Sequence, residues 1–388
     1  LSRAAAARGA GTVRRAAAVI VRGVSTRSTD AHPDDSTTPA PARTDGAVTE
    51  PLLSVRDLRV VLPTHRGPVA ALRGVDLTIG RGDTVGLIGE SGCGKSMTAL
   101  ALAGLLPEGA VVTGSMRLAA ARGADGPDLD LAALDESAWC RVRGARIGMV
   151  FQEPMTALNP LHPVGDQVAE PLRVHRGLSR GEARAEALAL LEAVRLPQAR
   201  ERLSAYPHQL SGGQRQRVGI AIALACGPDL LIADEPTTAL DVTLQREILD
   251  LLAELVAARG MALLLISHDL GVVARSVRTV HVMYGGLVVD SGPVRDVFAR
   301  RAHPYTRGLF GARPRLGRTR GTRLATIPGR VPELVDLPPG CPFADRCALA
   351  VAACATAVPA ARPVPGTPAG DPHRVRCVRV EDVGATPD

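Results

Sequence analysis

Lys95 is the only lysine in a chain with 46 basic residues, and it lies within Gly89-Glu90-Ser91-Gly92-Cys93-Gly94-Lys95-Ser96. A chain that uses arginine wherever positive charge suffices has kept the compact ammonium at one place, where a planar guanidinium cannot substitute. The string fits the phosphate-loop pattern GxxxxGK[ST]. Its glycines let the backbone curl so that successive N–H groups face phosphate oxygens, and the helix that follows adds the positive end of its dipole. In that chemistry Lys95 reaches the β- and γ-phosphates of a nucleotide and the Ser96 hydroxyl ligates Mg²⁺. A second string, Leu230-Leu231-Ile232-Ala233-Asp234-Glu235, is an apolar strand ending in two adjacent carboxylates. Beside a phosphate loop they divide the labour: Asp234 holds Mg²⁺ through its water shell, and Glu235 polarises the water that attacks the γ-phosphate. A third, Leu210-Ser211-Gly212-Gly213-Gln214-Arg215-Gln216-Arg217, places a capping serine before two glycines at the start of a helix.

The elements that must position these groups follow from pattern. Thr84–Ile88 is a buried strand ahead of the phosphate loop, and 97–105 a helix behind it. Residues 53–61 and 69–79 are strands rich in Val and Leu that cover one edge of the nucleotide site, with 111–118 strand-like and 123–128 a loop. The strand at 147–151 ends at Gln152, and from Pro154 to about Ser204 the signal is helical. There Ser179-Arg180-Gly181-Glu182 fits a capping box, followed by Leu188, Leu191 and Val194 at helical spacing. Alternation resumes with strand 229–233, helix 243–259, strand 262–267 and a short helix from Leu270, which implies a parallel sheet with helices on both faces.

Composition bounds the partners. The net charge of +7 comes with basic clusters at the two ends, 3–27 and 313–330, and such clusters suit anionic lipid heads as well as nucleic acid. Aromatic content of 2% argues against single-strand binding, which stacks bases on rings. No run approaches the roughly 18 apolar residues of a membrane span. Ala16–Val21 is apolar behind Arg14 and Arg15 but short for a secretory core, and residues 1–50 are expected to form a disordered arm. The odd cysteine count of seven, with Cys93 in the phosphate loop and Cys140 and Cys226 isolated, argues against a disulfide framework.

On these strings the chain resembles the ATP-binding cassette (ABC) ATPases. The resemblance implies an α/β phosphate-loop NTPase core with an antiparallel β edge subdomain over residues 51–300, and a helical insertion at about 153–226. It implies that Gly89, Glu90, Ser91, Gly92, Cys93, Gly94, Lys95, Ser96 and Met97 cradle ATP. Ser211, Gly212, Gly213 and Gln214 look like the signature motif, which contacts the γ-phosphate bound by a partner subunit. Gln152 matches the family's nucleotide-sensing glutamine and joins Ser96 and Asp234 around Mg²⁺. Asp241, in Ala239-Leu240-Asp241, matches the loop at the dimer interface, and His268, in Ile266-Ser267-His268-Asp269, the switch histidine. Lys95, Gln152, Glu235 and His268 are then the catalytic set. One position departs: near Leu62, where relatives offer an aromatic ring to adenine, stand Val60, Val61, Leu62 and His65, so apolar contact replaces stacking worth about 1 kcal/mol.

The tail narrows the resemblance. His303-Pro304-Tyr305-Thr306, Ile327-Pro328-Gly329-Arg330-Val331-Pro332 and Gly340-Cys341-Pro342-Phe343-Ala344-Asp345-Arg346-Cys347 are similar to the C-terminal region of oligopeptide and dipeptide importer ATPases. Residues 301–388 would form that module. Cys341, Cys347, Cys354 and Cys377 are separated by five, six and 22 residues, without the tight pairs of a zinc ribbon. Four thiolates suit zinc or an iron–sulfur cluster, and the resemblance implies a [4Fe-4S] cluster. It further implies a second ATPase subunit, a copy or a paralogue, with two transmembrane permease subunits and an extracytoplasmic solute-binding protein. The chain would then sit peripherally on the cytoplasmic face of the membrane and energise import of dipeptides or oligopeptides, without nucleic acid. A nickel or other small-solute importer uses the same ATPase, and a soluble cassette ATPase is the remaining class.

Overall fold

The computed structural model describes residues 51–123, 126–153, 157–238, 240–312, 326–367 and 372–383. The expected arm at 1–50, Pro154 at the start of the helical stretch, Ala239, part of the loop at 123–128 and most of the basic segment 313–330 lie outside the described residues.

Strands β1 (Pro51–Thr64) and β2 (Gly67–Gly80) form a long antiparallel hairpin, and β3 (Thr84–Ile88) runs into the glycine loop and helix α1 (Lys95–Leu102). Strands β4 (Val111–Leu118) and β5 (Leu129–Asp130) complete a four-stranded sheet in the order β2-β1-β4-β5. Helix α2 (Glu136–Val142) leads to β6 (Ile147–Val150). The insertion that follows holds α3 (Val164–Arg176), α4 (Arg180–Ala193), the short α5 (Ala199–Arg202) and α6 (Gly212–Leu224). The chain then returns through β7 (Leu230–Asp234), α7 (Val242–Arg259), β8 (Ala262–Ile266), α8 (Leu270–Ser276), β9 (Thr279–Tyr284), β10 (Leu287–Pro293), α9 (Val294–Arg300) and α10 (Pro304–Gly311). Its tail is loop-rich, with α11 (Ala352–Thr356), β11 (Arg362–Pro363), β12 (Arg374–Val375) and α12 (Val380–Val383).

The second sheet has the order β11-β12-β10-β9-β3-β8-β7-β6. From β9 to β6 its strands are parallel, but β10 and β12 join antiparallel, so the sheet is mixed rather than wholly parallel as expected. The physical reason is the Gly285-Gly286 pair, whose positive φ values of 54° and 75° fold β10 straight back on β9. Every residue of β7 and β8 is buried, and that is why both read as unbroken apolar runs. Leu264, with no exposed surface, packs in this layer, and Leu264→Ala would cost about 2–5 kcal/mol.

Helix α4 starts on the expected capping box, in which Ser179 and Glu182 satisfy each other's backbone N–H groups. Helix α1 starts at Lys95, two residues before the expected Met97, because Gly94 at φ 105° turns the loop directly into the helix. One apolar cluster joins the insertion to β7–β10 and takes in Tyr305, Cys341, Phe343 and Cys354 of the tail. The other joins the β1–β2 hairpin to α1 and the opposite face of the sheet. Among the described residues no helix is long and apolar enough to cross a membrane.

Candidate functional site

The glycine loop leaves β3 at the edge of both apolar clusters, and its backbone needs its glycines. Gly89, Gly92 and Gly94 have φ values of 152°, 80° and 105°. A Cβ at Gly89 would lie 2.3 Å from the Met283 carbonyl oxygen, so no side chain fits there. Lys95 is buried, and its ammonium donates to the Gly89 and Glu90 carbonyls at 2.9 and 3.0 Å, folding back over the loop. Cys93 is buried beneath it. Burial pushes its thiol up, and the Lys95 charge pulls it the other way.

β7 brings Asp234 to the same place. Asp234 is 5% exposed, the Ser96 hydroxyl hydrogen-bonds to its carboxylate, and its Oδ1 has no hydrogen-bond partner. Burial raises its pKa, with the Ser96 bond lowering it, the Glu235 charge raising it and the Lys95 charge lowering it. An unpartnered buried carboxylate oxygen next to a serine hydroxyl is the hard-oxygen donor set that Mg²⁺ takes, so these residues fit the ion.

Glu235 follows in a left-handed conformation, φ 45°, that a non-glycine residue keeps only when its surroundings hold it. Its N–H donates to the Ile266 carbonyl at 3.0 Å. One of its carboxylate oxygens, Oε2, gathers three side chains. The Gln152 amide donates at 3.1 Å, the Thr238 hydroxyl at 2.9 Å, and His268 Nδ1 lies 3.3 Å away. The structure thus brings together the glutamate, glutamine and histidine singled out in sequence. Gln152 meets Glu235 rather than Ser96 or Asp234. Thr238 was missed, although its place three residues after Glu235 in a tight turn was a usable signal.

The signature-like string is placed apart. Ser211 caps α6, accepting from the Gln214 N–H at 3.3 Å while Gln214 Oε1 accepts from the Ser211 N–H at 3.1 Å. A Cβ on Gly213 would lie 2.4 Å from Leu244 Cδ2, so this glycine lets α6 close on α7. Asp241 caps α7 by accepting from the Leu244 N–H at 3.0 Å. Among the described residues no hydrogen bond joins Ser211–Gln214 to the glycine loop, and both Ser211 and Asp241 are exposed.

Two residues that sequence reasoning left without a role touch the loop from behind. The Glu90 N–H donates to the Tyr305 hydroxyl at 2.7 Å, and the Arg346 guanidinium makes a two-point pair with the Glu90 carboxylate at 2.7 and 3.2 Å. Tyr305 and Arg346 lie 215 and 256 positions along the chain from Glu90, so no local spacing could have announced either contact.

The tail cysteines also meet. Cys341, Cys347, Cys354 and Cys377 line one small cavity with His303, Phe343 and Arg379. All are free thiols. Burial pushes Cys377 up to about 11, the Arg379 N–H opposes this, and the other three thiols add to the rise. Among the described residues no three His, Cys, Asp or Glu side chains converge as ligands of a single metal ion.

Comparison with known proteins supplies the context. The ABC transporter family model matches residues 72–238, and the model for the C-terminal region of oligopeptide/dipeptide transporters matches 289–354. A Brucella melitensis protein named for peptide import and ATP binding is 51% identical over 343 residues, which span 87% of this chain and 99% of that one. The dipeptide transport ATP-binding protein DppD of Bacillus subtilis is 46% identical over 329 residues, 84% of this chain and 94% of its own length. Among solved structures, the ATP-binding cassette MJ0796, a dimer in a post-hydrolysis state bound to ADP and Pi, superposes with a TM-score of 0.55 at 29% identity. It covers 63% of this chain and 99% of its own. The chain therefore belongs to the ABC transporter ATPases, in the branch that carries the oligopeptide/dipeptide transporter C-terminal region.

Proposed function

We propose that this chain is the ATP-hydrolysing subunit of an importer of dipeptides or oligopeptides, peripheral on the cytoplasmic face of the membrane. The observation that carries the ATPase chemistry is the meeting of Gln152, Thr238 and His268 on a single oxygen of Glu235, beside a phosphate loop and a buried Asp234. In this reading the loop N–H groups other than that of Glu90, which Tyr305 engages, bind the phosphates with the Lys95 ammonium, and Ser96 and Asp234 hold Mg²⁺ while Gln152 sits on Glu235. The ion, when bound, would supply positive charge to offset the negative charge on the phosphate oxygens. Glu235 then takes a proton from the attacking water, and Gln152 and His268 orient Glu235 and report the γ-phosphate.

The signature string is expected to serve a partner. Ser211 leaves an exposed helix N-terminus that, among the described residues, makes no hydrogen bond to its own phosphate loop, which suits a head-to-tail dimer. The partner is a copy or a paralogue of this chain, and nucleotide-driven closure would move two permease subunits fed by a solute-binding protein. The peptide substrate follows from the names of the relatives and the matching C-terminal region.

The finer reading of the tail is that residues 301–388 form a module clamped by a [4Fe-4S] cluster on Cys341, Cys347, Cys354 and Cys377. Support comes from all four thiols lining one cavity. Anaerobically purified protein should carry iron and sulfide in equal amounts with broad visible absorbance. Stoichiometric zinc without iron would end this reading.

Uptake decides the substrate. In a strain lacking the gene, labelled dipeptides and oligopeptides should fail to enter, and wild type but not Lys95→Ala should restore uptake. Lost nickel uptake with intact peptide uptake would overturn the peptide assignment.

A further inference from the structure

The three-point hold on Glu90 has a consequence beyond the phosphate loop's own chemistry. Its carbonyl accepts from Lys95, its N–H donates to Tyr305, and its carboxylate is forked by Arg346. The last two come from the tail. The Arg346 side chain is 6% exposed and that of Glu90 is 26% exposed, so the pair is shielded from bulk water and worth more than a surface ion pair. Arg346 is itself fixed. Its Nε donates to the Pro328 carbonyl at 2.8 Å, and Nη1 also reaches the Tyr284 hydroxyl at 3.1 Å.

Behind it stands a small aromatic wall. The Tyr284 and Tyr305 ring centres are 4.6 Å apart, and Phe343 lies 5.2 Å from Tyr284 and 5.4 Å from Tyr305. A chain with three tyrosines in all has put two of them here, both fully buried. Neither is needed to bind phosphate directly. Tyr305 takes the Glu90 N–H directly, and Tyr284 backs the Arg346 guanidinium that forks the Glu90 carboxylate.

We propose that Arg346 and Tyr305 are positioning residues for nucleotide binding: they hold Glu90 from outside, so that the C-terminal module sets the curl of the phosphate loop. This rests on the reading that Gly89–Ser96 holds the nucleotide phosphates. Preorganisation is the physical link, because a loop already fixed in its binding shape does not lose conformational freedom when the phosphates arrive. The Lys95 ammonium, hung on the Gly89 and Glu90 carbonyls, is placed by the same hold.

The test is equilibrium binding of Mg²⁺ and a fluorescent ATP analogue to the full chain, with steady-state ATPase kinetics and thermal melting alongside. Arg346→Gln and Glu90→Gln should each weaken binding about tenfold, and the double variant should be no worse than the weaker single. Tyr305→Phe deletes one hydroxyl without a cavity and should weaken binding by about threefold. The Arg346→Gln and Tyr305→Phe losses should appear in KM far more than in kcat. Lowered melting temperatures with unchanged affinity of the folded protein would overturn the proposal, as would additive effects of Arg346→Gln and Glu90→Gln. If Arg346→Gln fails to fold, Tyr305→Phe decides alone. Lys95→Ala separates the two levels. Lost binding in Lys95→Ala beside unchanged binding in the other variants overturns only the positioning role, whereas wild-type affinity in Lys95→Ala overturns the site reading beneath it.

Discussion

Asp234→Asn should make the nucleotide-free protein more stable and at the same time remove its response to Mg²⁺. β7 carries this carboxylate into a place only 5% exposed, where Oδ1 finds no partner. A buried polar atom without a partner costs about 1–3 kcal/mol, and more when it is charged. The Ser96 hydroxyl and the Lys95 charge offset part of that. Asn keeps the shape and discards the charge, so a net gain of about 1–2 kcal/mol is expected in the empty site. For a chain of 388 residues that raises the melting temperature by roughly 1 °C per kcal/mol. The same substitution takes away the anionic oxygen that a hard cation needs. Wild type at a nucleotide concentration about 100 times its dissociation constant should gain about 2.7 kcal/mol from Mg–ATP. Asp234→Asn should show no gain that depends on Mg²⁺. Thermal melts of both proteins, with and without ATP, in Mg²⁺ or in chelator, give all the comparisons in one experiment. If Asp234→Asn melts below wild type without nucleotide, the carboxylate is a structural partner and the argument is wrong. If it keeps the Mg²⁺-dependent gain, Asp234 is not where the ion sits.

Glu235→Gln keeps the size of a side chain on which Gln152, Thr238 and His268 converge but removes its basicity. Turnover should drop about 10²–10⁴-fold while Mg–ATP binding persists, measured by phosphate release and nucleotide retention; wild-type turnover would rule out Glu235 as the base. His281 offers a pH test remote from the chemistry. Burial holds it down to about 4 from the ordinary 6.5, and its Nδ1 has no partner. The unfolded chain therefore binds the proton more readily, and stability present above pH 6.5 is lost as pH falls toward 4, by about 2 kcal/mol at pH 5. His281→Leu should flatten that part of the urea-midpoint profile. The profile will not become flat, since His303 is also held down to about 4 by burial. Identical slopes in wild type and variant would refute the assignment.

What was legible in the sequence is local by nature. A capping box satisfies groups three residues apart, so Ser179 with Glu182 and Ser211 with Gln214 could be placed from spacing alone. The phosphate loop reads because strand, glycines and helix are contiguous. The β9–β10 hairpin carried an equally local signal in Gly285-Gly286 that passed without use, and with it went the mixed character of the sheet. Other contacts had no local signal to find. Asp290, wholly buried on β10, accepts from the Thr306 hydroxyl at 2.9 Å and pairs with His373 at 2.8 Å, and these partners lie 16 and 83 residues along the chain.

The tail therefore does more than append a module to a finished ATPase. β12 extends the sheet that carries Asp234, Asp290 ties β10 to His373, and Arg376 reaches the β1–β2 hairpin through Asp76 at 3.4 Å. Arg66 of that hairpin returns to Glu333 and Asp336 at 2.8 and 2.9 Å. These last are exposed pairs worth about 0–1 kcal/mol each, so the hairpin is guided by the tail rather than fixed by it. Shielded side-chain pairs tie the tail to the core at Glu90 and Asp290. Shielding thus marks where the tail can exert force on the core, and one of those two places is the phosphate loop.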